Sequence, residues 1–200
     1  MRRIASIVMA VATTALGSTA CDSPPPPANV VTIVGDSLTM TALLDGHLPG
    51  YDVHSMLGWQ AEDAQPGLDQ RVADPARSPR TVVIVLGQND AADHTDPALI
   101  GDGWTTTDAQ QVTRLANTPH PDATVCWILP AYYGTDPAYA AGITRFRQWL
   151  TAFAAGRGEH VSDWASVARP EHIGADGVHL TPAGRAAYGQ LLTQEATRCG

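Results

Sequence analysis

Apolar positions in this chain come in short blocks rather than in strict alternation. Five runs rich in β-branched residues stand out: Val30 to Val34, Tyr51 to Ser55 (the weakest), Thr81 to Leu86, Thr124 to Leu129, and His160 to Ser162. Continuous runs suit strands covered on both faces, as in a parallel sheet. Between them lie segments with helical character. These run from Leu38 to Leu44, from Ala61 to Val72, and from Thr107 or Asp108 to just before Pro119. Another starts at Asp136 with Pro137 in its first turn and continues to Ala155, where Gly156 is the expected stop. The last starts at Thr181-Pro182, a capping residue and an N1 proline, and runs towards Cys199. Strand and helix in turn predict an α/β sandwich built on a five-stranded parallel sheet, with no internal repeat.

That architecture tells where chemistry belongs. In open parallel sheets, sites lie outside the carboxyl ends of the strands. The first run ends in Gly35-Asp36-Ser37-Leu38, the turn after the second contains Gly58, and the third ends in Gly87-Gln88-Asn89-Asp90. All three should face one edge.

Ser37 follows a buried strand at a helix start, where its hydroxyl can be exposed and its N–H points into a region that favours negative charge. Taken alone, Ser37 or Asp36 could equally be a helix cap. A serine hydroxyl needs an adjacent base. Of seven histidines, six have no companion motif, and a solvated or structural role is the default for each. His179 differs, because it stands in Asp176-Gly177-Val178-His179 immediately before the last helix. A turn of that length lets the Asp176 carboxylate reach the imidazole, fix its tautomer and stabilise its charged form. The plainer reading is an Asx-type turn leading into a helix. Backbone N–H groups of Ser37 and Gly58 and the amide of Asn89 are candidate donors to a developing oxyanion. Asp36 and Asp90 are expected to hold loops by hydrogen bonds. Trp59 and Trp104 are candidates for an acyl pocket or for ordinary packing.

The four blocks together, in this order, resemble those of the SGNH (GDSL) hydrolases. The resemblance covers the chain from about Val30 to its C-terminus. It implies a flavodoxin-like three-layer α/β/α fold and a serine ester hydrolase working without metal or cofactor. Residue by residue it implies Ser37 as nucleophile, His179 as base, Asp176 as its orienting acid, and Ser37, Gly58 and Asn89 as the oxyanion hole. The implied partner is a small-molecule or saccharide ester. Alternatives are an acyltransferase passing the group to a saccharide with the same triad, and a binding lipoprotein that keeps the fold without the chemistry. A flavodoxin-like cofactor binder fits less well, since the loop after the first strand lacks a run of Ser/Thr donors.

Composition refines this picture. With 200 residues, 44% of them apolar, the chain has enough material for one domain with a sizeable core. Its formal charge is −8 and every basic side chain is arginine. An acidic chain without a basic cluster is a poor candidate for nucleic acid or for an anionic membrane surface. Residues 1–20 read as an export signal: Arg2 and Arg3, an apolar stretch from Ile4 to Leu16, then Gly17 to Ala20. Cys21 follows directly, as in bacterial lipoproteins, although Ser18 stands where leucine is usual. Lipidation at Cys21 and simple cleavage before it both remain open. Residues 21–29, with Pro24 to Pro27, form an extended spacer. The folded domain is then 30–200, in an exported protein that is either anchored through Cys21 or secreted. Cys126 and Cys199 are left as a possible pair in an oxidising compartment.

Overall fold

In the computed structural model, residues 30–92 and 106–200 are described. The expected export signal (1–20), the expected spacer (21–29) with Cys21, and Trp104 lie outside them. Five strands form one sheet: β1 (Val31–Gly35), β2 (Asp52–Ser55), β3 (Thr81–Val85), β4 (Thr124–Leu129) and β5 (His160–Asp163). Every pairing is parallel and the spatial order is β2-β1-β3-β4-β5. This is the doubly wound order whose switch point falls between β1 and β3. The chain turns to one side after β1 and to the other after β3, which leaves a crevice at the carboxyl edge.

Among the described residues, six α-helices cover the sheet: α1 (Ser37–Leu44), α2 (Ala61–Ala73), α3 (Gln88–Ala92), α4 (Thr106–Asn117), α5 (Pro137–Arg157) and α6 (Pro182–Cys199). On one face, Val34, Ile84 and Trp127 meet Leu68 of α2, Leu115 of α4 and Leu150 of α5. On the other, Ile33, Val83 and Ile128 meet Leu38 of α1 and Leu192 of α6. Neighbouring strand residues thus feed opposite cores, which explains why their sequence reads as unbroken apolar runs rather than alternation. Each large aliphatic side chain buried this way contributes roughly 1.5–3 kcal/mol. Trp127 buries its ring and donates its indole N–H to Glu159 at 2.6 Å.

Two expectations need correction. Gly156 does not end α5, which continues to Arg157 and is capped by Gly158 in the left-handed conformation (φ +71°). A glycine inside a helix costs only about 1 kcal/mol, so the residue that takes the left-handed turn, not the first glycine, marks the stop. Helix α3 was not anticipated, because five residues carry too little periodicity to register. The other boundaries shift by a residue or two.

Cys126 and Cys199 form a disulfide across 73 positions, tying the end of α6 to β4. Thr81 donates its hydroxyl to the Cys199 carbonyl at 3.4 Å. A β-carbon on Gly200 would lie 3.4 Å from Val31. The end of the chain therefore returns to the edge where β1 begins, opposite the crevice.

Candidate active site

The crevice is built from the loops after β1, β2, β3 and β4 and the turn before α6. Asp36 is the N-cap of α1, and its carboxylate accepts the Leu38 N–H at 3.0 Å. Ser37 is therefore the first helical residue, whose N–H has no partner within the helix. Asp36 is 2% exposed and Ser37 6%. Burial, reinforced by the charge of Asp90, pushes the Asp36 carboxyl up to about 7. The Leu38 N–H and the nearby His179 imidazole act against that rise.

Asp176 and His179 meet as the spacing predicts. The Asp176 Oδ1 accepts the backbone N–H groups of Val178 and His179, at 3.0 and 2.9 Å. Its Oδ2 lies 2.6 Å from His179 Nδ1. These bonds hold the Asp176 carboxyl down at about 2, the His179 bond contributing most. An ionised carboxylate can only accept, so Nδ1 carries the proton and Nε2 is left as the basic nitrogen. The turn is braced from outside: Gly174 donates to the His179 carbonyl at 2.6 Å and Tyr133 to the Gly177 carbonyl at 2.8 Å. Gly177 has φ +73°, and a β-carbon there would come within 2.1 Å of Gly134 N. Only glycine satisfies both the backbone angle and that approach.

The loops after β2 and β3 are clamped together. Asn89 donates one amide hydrogen to the Trp59 carbonyl at 3.0 Å, which leaves its second amide hydrogen available. Asp90, buried, accepts the Ala61 N–H at 3.1 Å at the start of α2. Burial pushes its carboxyl up to about 6. The expected loop-holding roles of Asp36 and Asp90 are thus what their bonds show. Gly58 has φ +75° and open space where a side chain would project. Met56 and Leu57 just before it are 52% and 62% exposed and form an apolar lip. Trp59 packs on the core and meets His54 edge-on at 4.5 Å.

The structure thus joins Asp176 to His179 directly, and the Gly58 loop to Asn89 and Asp90. Asp36, the neighbour of Ser37, feels the charge of His179 only as the weakest of the influences on its carboxyl. Ser37 Oγ itself makes no hydrogen bond to His179. Sequence reasoning missed Tyr133 as a brace and Tyr139, whose hydroxyl donates to the Gln88 carbonyl at 3.0 Å and accepts the Gln88 amide at 2.9 Å. Neither lies in a motif, and no spacing links positions so far apart. Among the described residues, no group of three or more His, Cys, Asp or Glu side chains is placed to hold a metal. Among them, too, no helix is long and apolar enough to cross a membrane.

The sequence profile of the GDSL-like lipase/acylhydrolase family matches residues 33–187. The chain belongs to that family. Like other GDSL-like acylhydrolases, it is by class a carboxylic ester hydrolase. Its fold recurs in the catalytic domain of peptidoglycan O-acetyltransferase A from Streptococcus pneumoniae (TM-score 0.64, 22% identity, 86% of this chain and 94% of that one). It recurs in an acetylxylan esterase from Geobacillus stearothermophilus (0.64, 15%, 84% and 94%). A GDSL-like lipase from Bacteroides thetaiotaomicron is similar again (0.63, 17%, 85% and 88%). At these identities the likeness is one of fold. No curated protein matches the chain.

Proposed function

We propose that this GDSL-like acylhydrolase cleaves carboxylic esters through an acyl-enzyme on Ser37. The observation that carries the reading is the 2.6 Å Asp176–His179 bond through Nδ1, which leaves Nε2 as the free basic nitrogen. His179 Nε2 takes the Ser37 hydroxyl proton as Oγ bonds to the ester carbonyl carbon. The carbonyl electron pair moves onto oxygen, where Ser37 N–H, Gly58 N–H and the free Asn89 amide hydrogen receive it. Each such donor supplies roughly 2.7–4 kcal/mol. The C–O bond to the alcohol then breaks and the alcohol leaves with the proton from Nε2. Water attacks the acyl-enzyme, gives its proton to Nε2, and Ser37 recovers that proton as the acid departs. The missing Ser37–His179 bond is of the kind that tightens when substrate binds.

Ser37→Ala should lower turnover of p-nitrophenyl acetate by about 10⁴-fold or more. A fluorophosphonate should label Ser37 in the folded protein. Retention of most activity by that variant would overturn the assignment.

A saccharide ester is the favoured substrate class. Support comes from the fold neighbours named for peptidoglycan O-acetyl transfer and acetylxylan. Transfer to a sugar hydroxyl uses the same residues, and product analysis with and without a saccharide acceptor separates it from hydrolysis. Export belongs to the same proposal. The leader-like residues 1–20 and the Cys126–Cys199 disulfide support it. The mass of the mature N-terminus, with Cys21→Ala as control, decides between lipid anchor and simple cleavage.

A further inference from the structure

Helix α5 turns one face towards the loop that carries Asn89. Tyr139, Gly142 and Phe146 are spaced three and four apart, so they lie on one side of the helix. Each of them meets the stretch from Gly87 to Ala91. A β-carbon on Gly87 would overlap the Phe146 ring, and one on Gly142 would fall 2.7 Å from the Ala91 carbonyl oxygen. Glycine at these two positions is what lets helix and loop come so close. The third meeting is polar. The Tyr139 hydroxyl donates to the Gln88 carbonyl at 3.0 Å and accepts the Gln88 amide at 2.9 Å.

Tyr139 is itself firmly held. Asp136 accepts its N–H at 3.2 Å and that of Ala138 at 2.8 Å. The Tyr139 ring lies 4.4 Å from that of Tyr132, whose hydroxyl accepts the Asp136 N–H at 3.0 Å. Burial above all pushes the Tyr139 hydroxyl up to about 12, so it keeps the proton it donates throughout the neutral range.

The Gln88 carbonyl belongs to the peptide unit that ends at the Asn89 α-carbon. That unit is planar, so a bond to its oxygen sets the plane from which the Asn89 side chain departs. At its other end Asn89 gives one amide hydrogen to the Trp59 carbonyl at 3.0 Å. Backbone and amide are thus fixed from two sides, and the direction of the second amide hydrogen follows from them.

We propose that Tyr139 is a positioning residue for the oxyanion hole, acting through the Gln88 peptide unit on the Asn89 amide. The inference rests on the oxyanion role given to Asn89 above and names what aims that donor. A donor moved off its line gives up much of what it offers a developing charge, so the loss falls on the chemical step.

The test is a double-mutant cycle in kcat/KM on p-nitrophenyl acetate. Tyr139→Phe keeps the ring and removes both bonds to Gln88, and alone it should cost about tenfold. The pH at which kcat/KM rises belongs to His179 and should not move. Asn89→Ala alone should cost about 10²-fold. In the Asn89→Ala background Tyr139→Phe should cost less than about twofold, because no amide is left to aim. Gly142→Ala drives a methyl group against the Ala91 carbonyl and should show the same pattern, which provides a second route if Tyr139→Phe does not fold. Wild-type kcat/KM in Tyr139→Phe would overturn the inference. So would a loss that persists undiminished in the Asn89→Ala background, since the tyrosine would then act on the fold at large. In either case an impaired Asn89→Ala leaves the oxyanion assignment standing, and the positioning role alone falls. If Asn89→Ala turns over the ester like wild type, the oxyanion assignment falls and the positioning role with it.

Discussion

At the residue scale, the buried carboxylates of the crevice set a pH dependence that surface charges would not. Asp36 ionises near 7 in the folded chain and Asp90 near 6, against roughly 4 when unfolded. Between about pH 4 and pH 7 the folded chain holds protons that the unfolded chain has released, so these groups cost stability as pH rises through that window. His54 works the other way, because burial lowers its pKa. Comparison of wild type with Asp36→Asn cancels that contribution. The asparagine keeps an oxygen for the Leu38 N–H. The stability of wild type relative to this variant should fall between pH 5 and pH 7.5 in urea denaturation. A constant difference would contradict the burial argument. Gly177 offers a second check. Gly177→Ala must push the Gly134 segment aside and strain the turn, so kcat/KM should drop by about 10²-fold, with far-UV circular dichroism unchanged. The catalytic candidates could be named because each lies in a local block, and the three-residue spacing of Asp176 and His179 permits the bond that the structure shows, although the spacing alone reads equally as an Asx-type turn. Tyr133, Tyr139 and the Asn89–Trp59 link could not be named, since they join loops that only the folded sheet brings together.

At the scale of elements, the strands could be read from β-branched runs and the long helices from their caps. What could not be read was the stop of α5, decided by the backbone angle of Gly158, and the single turn of α3. The cysteine pair was also undetermined until β4 and α6 were placed. A bridge closing 73 residues removes unfolded-chain entropy worth about 4 kcal/mol. Cys199→Ser should therefore lower Tm by roughly 10 °C. The loss should appear as earlier opening of the last turns of α6 in hydrogen exchange, and an unchanged Tm would show the bridge to be mechanically idle. Ester turnover should persist in the folded Cys199→Ser protein, since Cys199 sits at the edge of the sheet remote from Ser37.

For the whole molecule, strand polarity governs everything. Because all five strands point the same way, their carboxyl ends gather Ser37, Gly58, Asn89 and the Asp176–His179 turn on one rim, while Val31 and Gly200 come together at the other. The start of β1 and the last residue of α6's cap are near neighbours on the back of the described domain. The domain can consequently be spliced into a surface loop of a host protein by both ends at once, or closed into a ring and reopened elsewhere, with its reactive rim still turned outward.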